Sequence, residues 1–454
     1  MKENKTDLYP DNSTTLVNPG EELKRGIWPR SFALWVAAFY ASLYIIRPWE
    51  QLFPSLSGIY LMKFYAAFML TVLFFSKKNR FHMDFQALTI LFFTMALLIS
   101  AVFAMYPSWS WPSFWEFLTV VVFYFVLILV ARTPYELFFT VTCYIVTMAV
   151  YLGKSQWEYF VHGQHRYDPG TGIVRMTGIE TTFGGPNALA MSIVVSLPFL
   201  LFLWSIRKEL TETWPNLWRK WFPRFLVFYA ALAVSSVILT NSRSGMLCFV
   251  VFAVMAMLRG KGVGGKIGTV TLGIVILAGI WLVMPQENRN RFRSIWDPSA
   301  GTANAERDAN ARIEGFWVGI EIFEEFPLTG VGINNTIRYR WVNLDERWEQ
   351  THNLIGQVLG ETGIVGGLTF SLMVIVILIN SRKVRILGKR NNCDPKLKAL
   401  SGLGLACRDG VILLFFEGFF GHNLLRFSWL WFAAFSVLAL QFAQSVQSTN
   451  QRQG

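Results

Sequence analysis

Residues 225–258 read FLVFYAALAVSSVILTNSRSGMLCFVVFAVMAML. Two apolar runs flank the five residues Asn241, Ser242, Arg243, Ser244 and Gly245. A helical span of a bilayer needs about 20 mostly apolar residues, and somewhat fewer when the helix stands upright. The segment is therefore expected to form a membrane hairpin of two helices, with Arg243 at its mouth. A guanidinium placed there is costly unless it is paired or solvated. Either it reaches water or a lipid head group, or it holds an anionic ligand. Its planar fork matches phosphate oxygens and stays charged at any relevant pH.

The same ruler applied outward gives twelve spans, near 31–46, 57–76, 84–105, 114–131, 136–152, 187–206, 225–240, 244–258, 267–284, 360–380, 399–417 and 424–442. Of 454 residues 53% are hydrophobic and 15% charged, which places the chain among integral membrane proteins. The expected fold class is all-α and polytopic, with a large outer loop that contains an amphipathic helix. Repeated Phe, Trp and Leu clusters suit lipid-facing helices with aromatic anchors at the interfaces.

The formal charge of +12 is explained by topology rather than by nucleic acid. Most of the 41 basic residues fall in the two tails and in the loops near 77–83, 132–135, 207–224, 259–266 and 381–398. All of these lie on one side, which the positive-inside rule assigns to the cytoplasm. Both termini are then cytoplasmic: a polar, disordered tail over 1–30, a transmembrane domain over 31–442, and a short tail over 443–454. The N-terminal tail is too long and too acidic for a signal peptide, so the first span is expected to be an uncleaved anchor. Cys143, Cys248, Cys393 and Cys407 fall in spans or in a cytoplasmic loop, and make neither a disulfide framework nor a metal spacing. No internal repeat marks the chain as a secondary transporter.

Two outer segments are long. The first, 153–186, carries Lys154, His162, His165, Arg166, Asp168 and Arg175 and ends in FGGPN. Its two histidines read as flexible loop residues. The second, 285–352, opens with Arg289, Arg291 and Arg293 and continues through ARIEGFWVGIEIFEEF to the turn PLTGVGINN and to Thr351-His352-Asn353. Ile313, Phe316, Trp317, Ile320 and Phe323 recur at helical spacing. That stripe is expected to lie along the membrane surface or to cap the bundle. A loop of this length in a compact protein is more often functional than idle.

Arginines on the outer face run against the positive-inside expectation and need a reason of their own. Arg175 precedes Phe183-Gly184-Gly185-Pro186-Asn187, where Asn187 is placed to cap the sixth span. A helix start of that kind favours anions. His352, with an ordinary pKa near 6.5, is suited to take a proton from a hydroxyl, or else it is an interfacial residue. His422, beside Arg426 in GHNLLRF, is a second candidate by the same argument. Glu361 is placed to orient His352, to pair with an arginine, or simply to end a helix. Arg408 and Asp409 lie inside a span and are expected to pair with each other or across helices. No P-loop, GxSxG, HExxH or dinucleotide fingerprint occurs in a credible context, which argues against a nucleotide-driven pump or a soluble-type hydrolase.

RMTGIETTFGGPNALA, TNSRSGM, ARIEGFWVGIEIFEEFPLTGVG and THNLIGQVLGETGIVGG, in this order between 175 and 367, resemble the O-antigen ligase and polymerase superfamily of bacterial envelope glycosyltransferases. The resemblance implies an inverting, metal-independent transfer with no cofactor on the periplasmic face of the inner membrane. The donor it implies is a saccharide on undecaprenyl diphosphate. The acceptor is lipid A–core sugar in ligases, another lipid-linked repeat unit in polymerases, and protein in some relatives. It further implies that Arg175 and Arg243 hold the diphosphate, that Arg312 assists, and that His352 acts as general base. Glu361, Asn187, His422 and Arg426 complete the expected substrate-binding set. Ligase action is the leading expectation, with a repeat-unit polymerase as the alternative. A transporter or flippase is the rival from another class.

Overall fold

A computed structural model describes residues 29, 31–52, 61–75, 84–168, 172–179, 181–259, 286–293, 297, 303–390 and 394–453. The principal helices are α1 (Phe32–Ile46), α2 (Leu61–Phe75), α3 (Phe85–Val102), α4 (Pro107–Val130), α5 (Pro134–Val161), α6 (Pro186–Leu210), α7 (Asn216–Leu239) and α8 (Arg243–Leu258). They are followed by α9 (Gln286–Arg293), α10 (Ala303–Glu325), α11 (Leu354–Arg390), α12 (Pro395–Gly418) and α13 (Phe427–Gln453). Eight of them, α3 to α7 and α11 to α13, are long and apolar enough to cross a membrane, while α1, α2 and α8 are shorter apolar helices. These eleven coincide with expected spans. The expected span at 267–284 lies outside the described residues, as does the tail over 1–30 apart from residue 29.

Local chemistry sets the helix starts. Asp84, Thr133, Ser242 and Asp394 each lend a side-chain oxygen to a first-turn N–H of the helix that follows. Pro134, Pro186 and Pro395 occupy first positions, where a missing N–H costs nothing.

Several boundaries differ from expectation. Helix α5 runs on to Val161, so the first outer segment is shorter than 153–186. Within it an antiparallel hairpin forms, β1 (His165–Asp168) with β2 (Ile173–Met176), a small exception to an all-α fold. His165 is thus a strand residue and His162 the C-terminal cap of α5, rather than members of a loose loop. Helices α6 and α7 extend to Leu210 and from Asn216, and leave little of the expected 207–224 loop. Helix α13 continues to Gln453, through residues expected as a tail.

Helices α6, α11, α12 and α13 form the centre. Gly404 of α12 lies against Ser381 and Val384 of α11, and Gly410 against Phe199 of α6 and Phe432 of α13. Where α12 ends, Gly418 meets Leu354, the first residue of α11. Phe199 and Phe432 pack with ring centres 4.7 Å apart, inclined by 38°, and Tyr144 and Phe123 carry the packing outward through Trp431.

Helix α11 is two segments joined at Gly363, whose φ of 61° and ψ of −161° are not helical. Only glycine adopts such a conformation readily. A break of this kind frees backbone carbonyls and N–H groups, which need partners. The turn Pro327-Leu328-Thr329-Gly330-Val331-Gly332 supplies them. Val331 N–H donates to the Gly360 carbonyl (2.9 Å), Gly332 N–H to that of Glu361 (3.2 Å), and Ile364 N–H to that of Pro327 (2.9 Å).

Helix α10 packs on the first segment of α11, through a different face from the one its pattern indicates. Gly315 and Gly319 meet the backbone of Thr351 and Gly356, and Val318 and Ile322 are buried beside them. Ile313 and Trp317, members of the expected stripe, remain exposed. Small residues four apart on both helices, Gly315/Gly319 and Gly356/Gly360, let the backbones approach closely, and this outweighs the larger apolar stripe.

Candidate functional site

Strand β2 carries Arg175 to the mouth of the α7–α8 hairpin. Its Nε donates to the Thr240 carbonyl (3.0 Å) and its Nη2 to Asn187 Oδ1 (2.7 Å). The same Asn187 oxygen accepts from Ser242 Oγ (2.8 Å). Ser242 in turn accepts from the Gly245 N–H (3.1 Å) and so caps α8. Asn241, at a φ of 48°, donates from Nδ2 to the Val174 carbonyl (3.0 Å) and stitches the hairpin turn to β2. Arg243 is the first residue of α8 and only 9% exposed. A helix N-terminus is already electropositive, so a buried arginine there deepens a field suited to an anion.

Asn187 does not cap α6 as the sequence pattern indicates. Gly185 is the cap and Pro186 the first helical residue, so Asn187 sits one place further in. Proline's fixed φ sets the start of the helix. The Asn187 amide is thereby left to join Arg175 and Ser242.

A second cluster surrounds the loop between α12 and α13. The rings of His352 and His422 lie 5.4 Å apart, centre to centre, inclined by 47°. Arg426 donates from Nη1 to Ser192 Oγ (2.7 Å) on α6, and its Nη2 is 3.8 Å from Glu417 Oε1. The guanidinium of Arg312 faces the Phe420 ring at 5.5 Å, and that of Arg426 faces Phe183 at 5.8 Å. Burial pushes the His422 imidazole down to about 4, helped by the neighbouring His352 and Arg426 charges. At neutral pH His422 is therefore uncharged and leaves its partner ring free of a like charge. His352 itself has a φ of 45°, a left-handed conformation uncommon for a side-chain-bearing residue.

Helix α6 joins the two clusters. Asn187 and Ser192 are five residues apart, a rise of about 7.5 Å. One holds Arg175 and the other holds Arg426. Arg175 thus bonds Asn187, which also bonds Ser242 next to Arg243, while Arg426, His422, His352 and Arg312 are placed around the loop between α12 and α13.

Glu361 belongs to neither group. Its carboxylate, fully buried, accepts from Thr336 Oγ1 (3.3 Å) and Gln357 Nε2 (3.2 Å). Among the described residues it bonds to neither His352 nor an arginine. Gln357 Oε1 accepts from the Leu424 N–H (3.2 Å), so Glu361 steadies the loop that presents His422. Its place in the site is indirect.

Glu417, Ser192, Gln357 and Thr240 escaped the reading of the sequence. Glu417 alone carried a signal: it is a carboxylate at the end of a span, and such groups are expensive and tend to sit at functional sites. The other three have ordinary side chains or backbone groups whose roles exist only through neighbours distant in the chain.

No curated protein matches the chain. Residues 228–371, which include Arg243, Arg312, His352 and Glu361 but not Arg175, His422 or Arg426, match the family model for O-antigen ligase, and this supports placement in the O-antigen ligase superfamily that the motifs resemble.

Proposed function

We propose that the protein moves a saccharide from undecaprenyl diphosphate to an acceptor hydroxyl on the periplasmic face of the inner membrane, with lipid A–core sugar as the acceptor. The family implies a glycosyl-transferring enzyme; donor, acceptor and residue roles belong to this reading. The acceptor oxygen attacks the anomeric carbon as the bond to the diphosphate breaks. The electron pair leaves with the diphosphate, the hydroxyl proton passes to His352, and the configuration inverts. Arg175 and Arg243 stabilise the charge that grows on the leaving group. Diphosphate leaves readily, so positioning of acceptor against donor contributes at least as much as proton transfer. Arg312, His422 and Arg426 line the acceptor side, with Asn187 and Glu361 holding the arginine and histidine clusters in place.

The observation that supports this reading is that α6 holds Arg175 through Asn187 and, five residues on, holds Arg426 through Ser192, while His352 and His422 pair with each other. Arg243→Ala and His352→Ala are expected to abolish attachment of polymer to lipid A–core at normal protein levels, read on a lipopolysaccharide gel. Wild-type surface glycan in both variants overturns the assigned roles. Deletion of the gene separates ligase from polymerase. Lipid-carrier-bound polymer that never joins the core marks a ligase, whereas accumulation of single repeat units marks the polymerase alternative.

A further inference from the structure

Far from this site, two arginines pair with one carboxylate and a third, from another helix, lies within electrostatic range. Asp409 of α12 is 1% exposed at its side chain and pairs through Oδ1 with Arg408 (2.5 Å from Nη2, 2.7 Å from Nε). Its Oδ2 pairs with Nη2 of Arg259, the residue that caps the C-terminus of α8. Arg385 of α11 lies within electrostatic range of Arg408, Asp409 and Arg259. It makes no hydrogen bond or ion pair among the described residues. The Arg259 Nε is likewise buried with no hydrogen-bond partner there.

Among the described residues, charge does not balance in this cluster. One carboxylate neutralises one of three guanidiniums, and the carbonyls at the end of α8 offset only a fraction of the rest. Side-chain exposures of 20% for Arg259 and 32% for Arg408 mean that water screens the surplus incompletely. The cluster lies near the opposite end of α8 from Arg243, a rise of about 24 Å for 16 residues. On α11, the exposed Ile375, Ile379 and Ile386 form one stripe, and Arg385 falls about a quarter turn from it. An apolar stripe beside a basic cluster shared by several helices matches a molecule with acyl chains and an anionic head group.

We propose that Arg259, Arg385 and Arg408 bind a phosphate group on the face of the membrane opposite His352, supplied by an anionic phospholipid. Asp409 orients two of the guanidiniums, and Arg385 supplies a charge that no group among the described residues pairs with.

The full-length protein, purified in detergent, is to be incubated with phosphatidylglycerol and its bound lipid counted by native mass spectrometry. Arg385→Gln should lower retained phosphatidylglycerol by about fivefold, the effect of one basic residue near an anionic surface. Arg385→Lys should recover part of the loss. Lys383→Gln removes a charge from an exposed position of the same helix and should change retention little. A parallel arm uses inorganic phosphate alone. Thermal stabilisation by phosphate in the unsubstituted protein, absent in Arg385→Gln and without lipid retention, keeps the phosphate site and assigns it to a free anion. Equal retention in Arg385→Gln and the unsubstituted protein, with no phosphate effect, overturns the proposal. So does a loss in Lys383→Gln as large as that in Arg385→Gln.

Discussion

Arg175 bonds from two different nitrogens to two different elements, the end of α7 through Thr240 and the start of α6 through Asn187. Lysine keeps the charge but not the fork, and one ammonium does not reproduce both contacts. Arg175→Lys is therefore expected to lower transfer by about 100-fold, the order of loss for one preorganised charge-stabilising donor. An in vitro assay with lipid-linked donor checks this, and near wild-type rates would assign Arg175 a contribution of charge alone. At His422 the prediction concerns pH. Its folded pKa of about 4 lies below the ordinary 6.5, so between these values the unfolded chain binds more protons than the folded one. Stability is then full above about pH 6.5 and declines as the pH falls toward 4. Thermal unfolding near pH 7 and pH 4.5 should show an acid-induced drop that shrinks in His422→Gln. An unchanged drop would place its origin in other groups.

At the scale of elements, the contact between α10 and α11 decides how the large outer segment meets the bundle. Any side chain at Gly319 would overlap the backbone of Gly356. Gly319→Ala is expected to cost about 1 to 3 kcal/mol, as overpacking does in well-packed interiors. Because Arg312 lies on α10 and His352 lies two residues before α11, transfer should fall with it. Melting temperature and transfer rate measured on the same preparation test both consequences, and an unshifted melting temperature refutes the close contact. Helical spacing of Ile313, Phe316, Trp317 and Ile320 identified a helix correctly. Which face packs was settled by glycines, which carry no hydrophobic signal. The β1–β2 hairpin was equally hidden, since four-residue strands lack a readable period.

At the scale of the molecule, the reading predicts opposite sides for the histidine site and the basic end of α11. In spheroplasts, an impermeant thiol reagent should label Gln164→Cys above the unsubstituted background and label Lys389→Cys only after permeabilisation. Both positions are exposed, so protection reports the membrane rather than burial. The reverse pattern would invert the topology and move His352 to the cytoplasm.

Hydropathy determined by itself that the chain is a bundle of apolar helices, because the cost of unsatisfied backbone groups in lipid leaves few other solutions. Loose motifs in a fixed order carry the resemblance to the O-antigen ligase superfamily, and charge against the positive-inside rule singled out Arg175 and Arg243. Only the tertiary structure decided how these residues are held. Asn187 bonds Arg175 because a proline ahead of it sets the helix start, and Glu361 is turned away from His352 by Thr336 and Gln357. Arg426 meets Ser192 across 234 residues of chain. Such contacts are fixed by helix packing and have no local period, so the sequence could name the residues but not their neighbours.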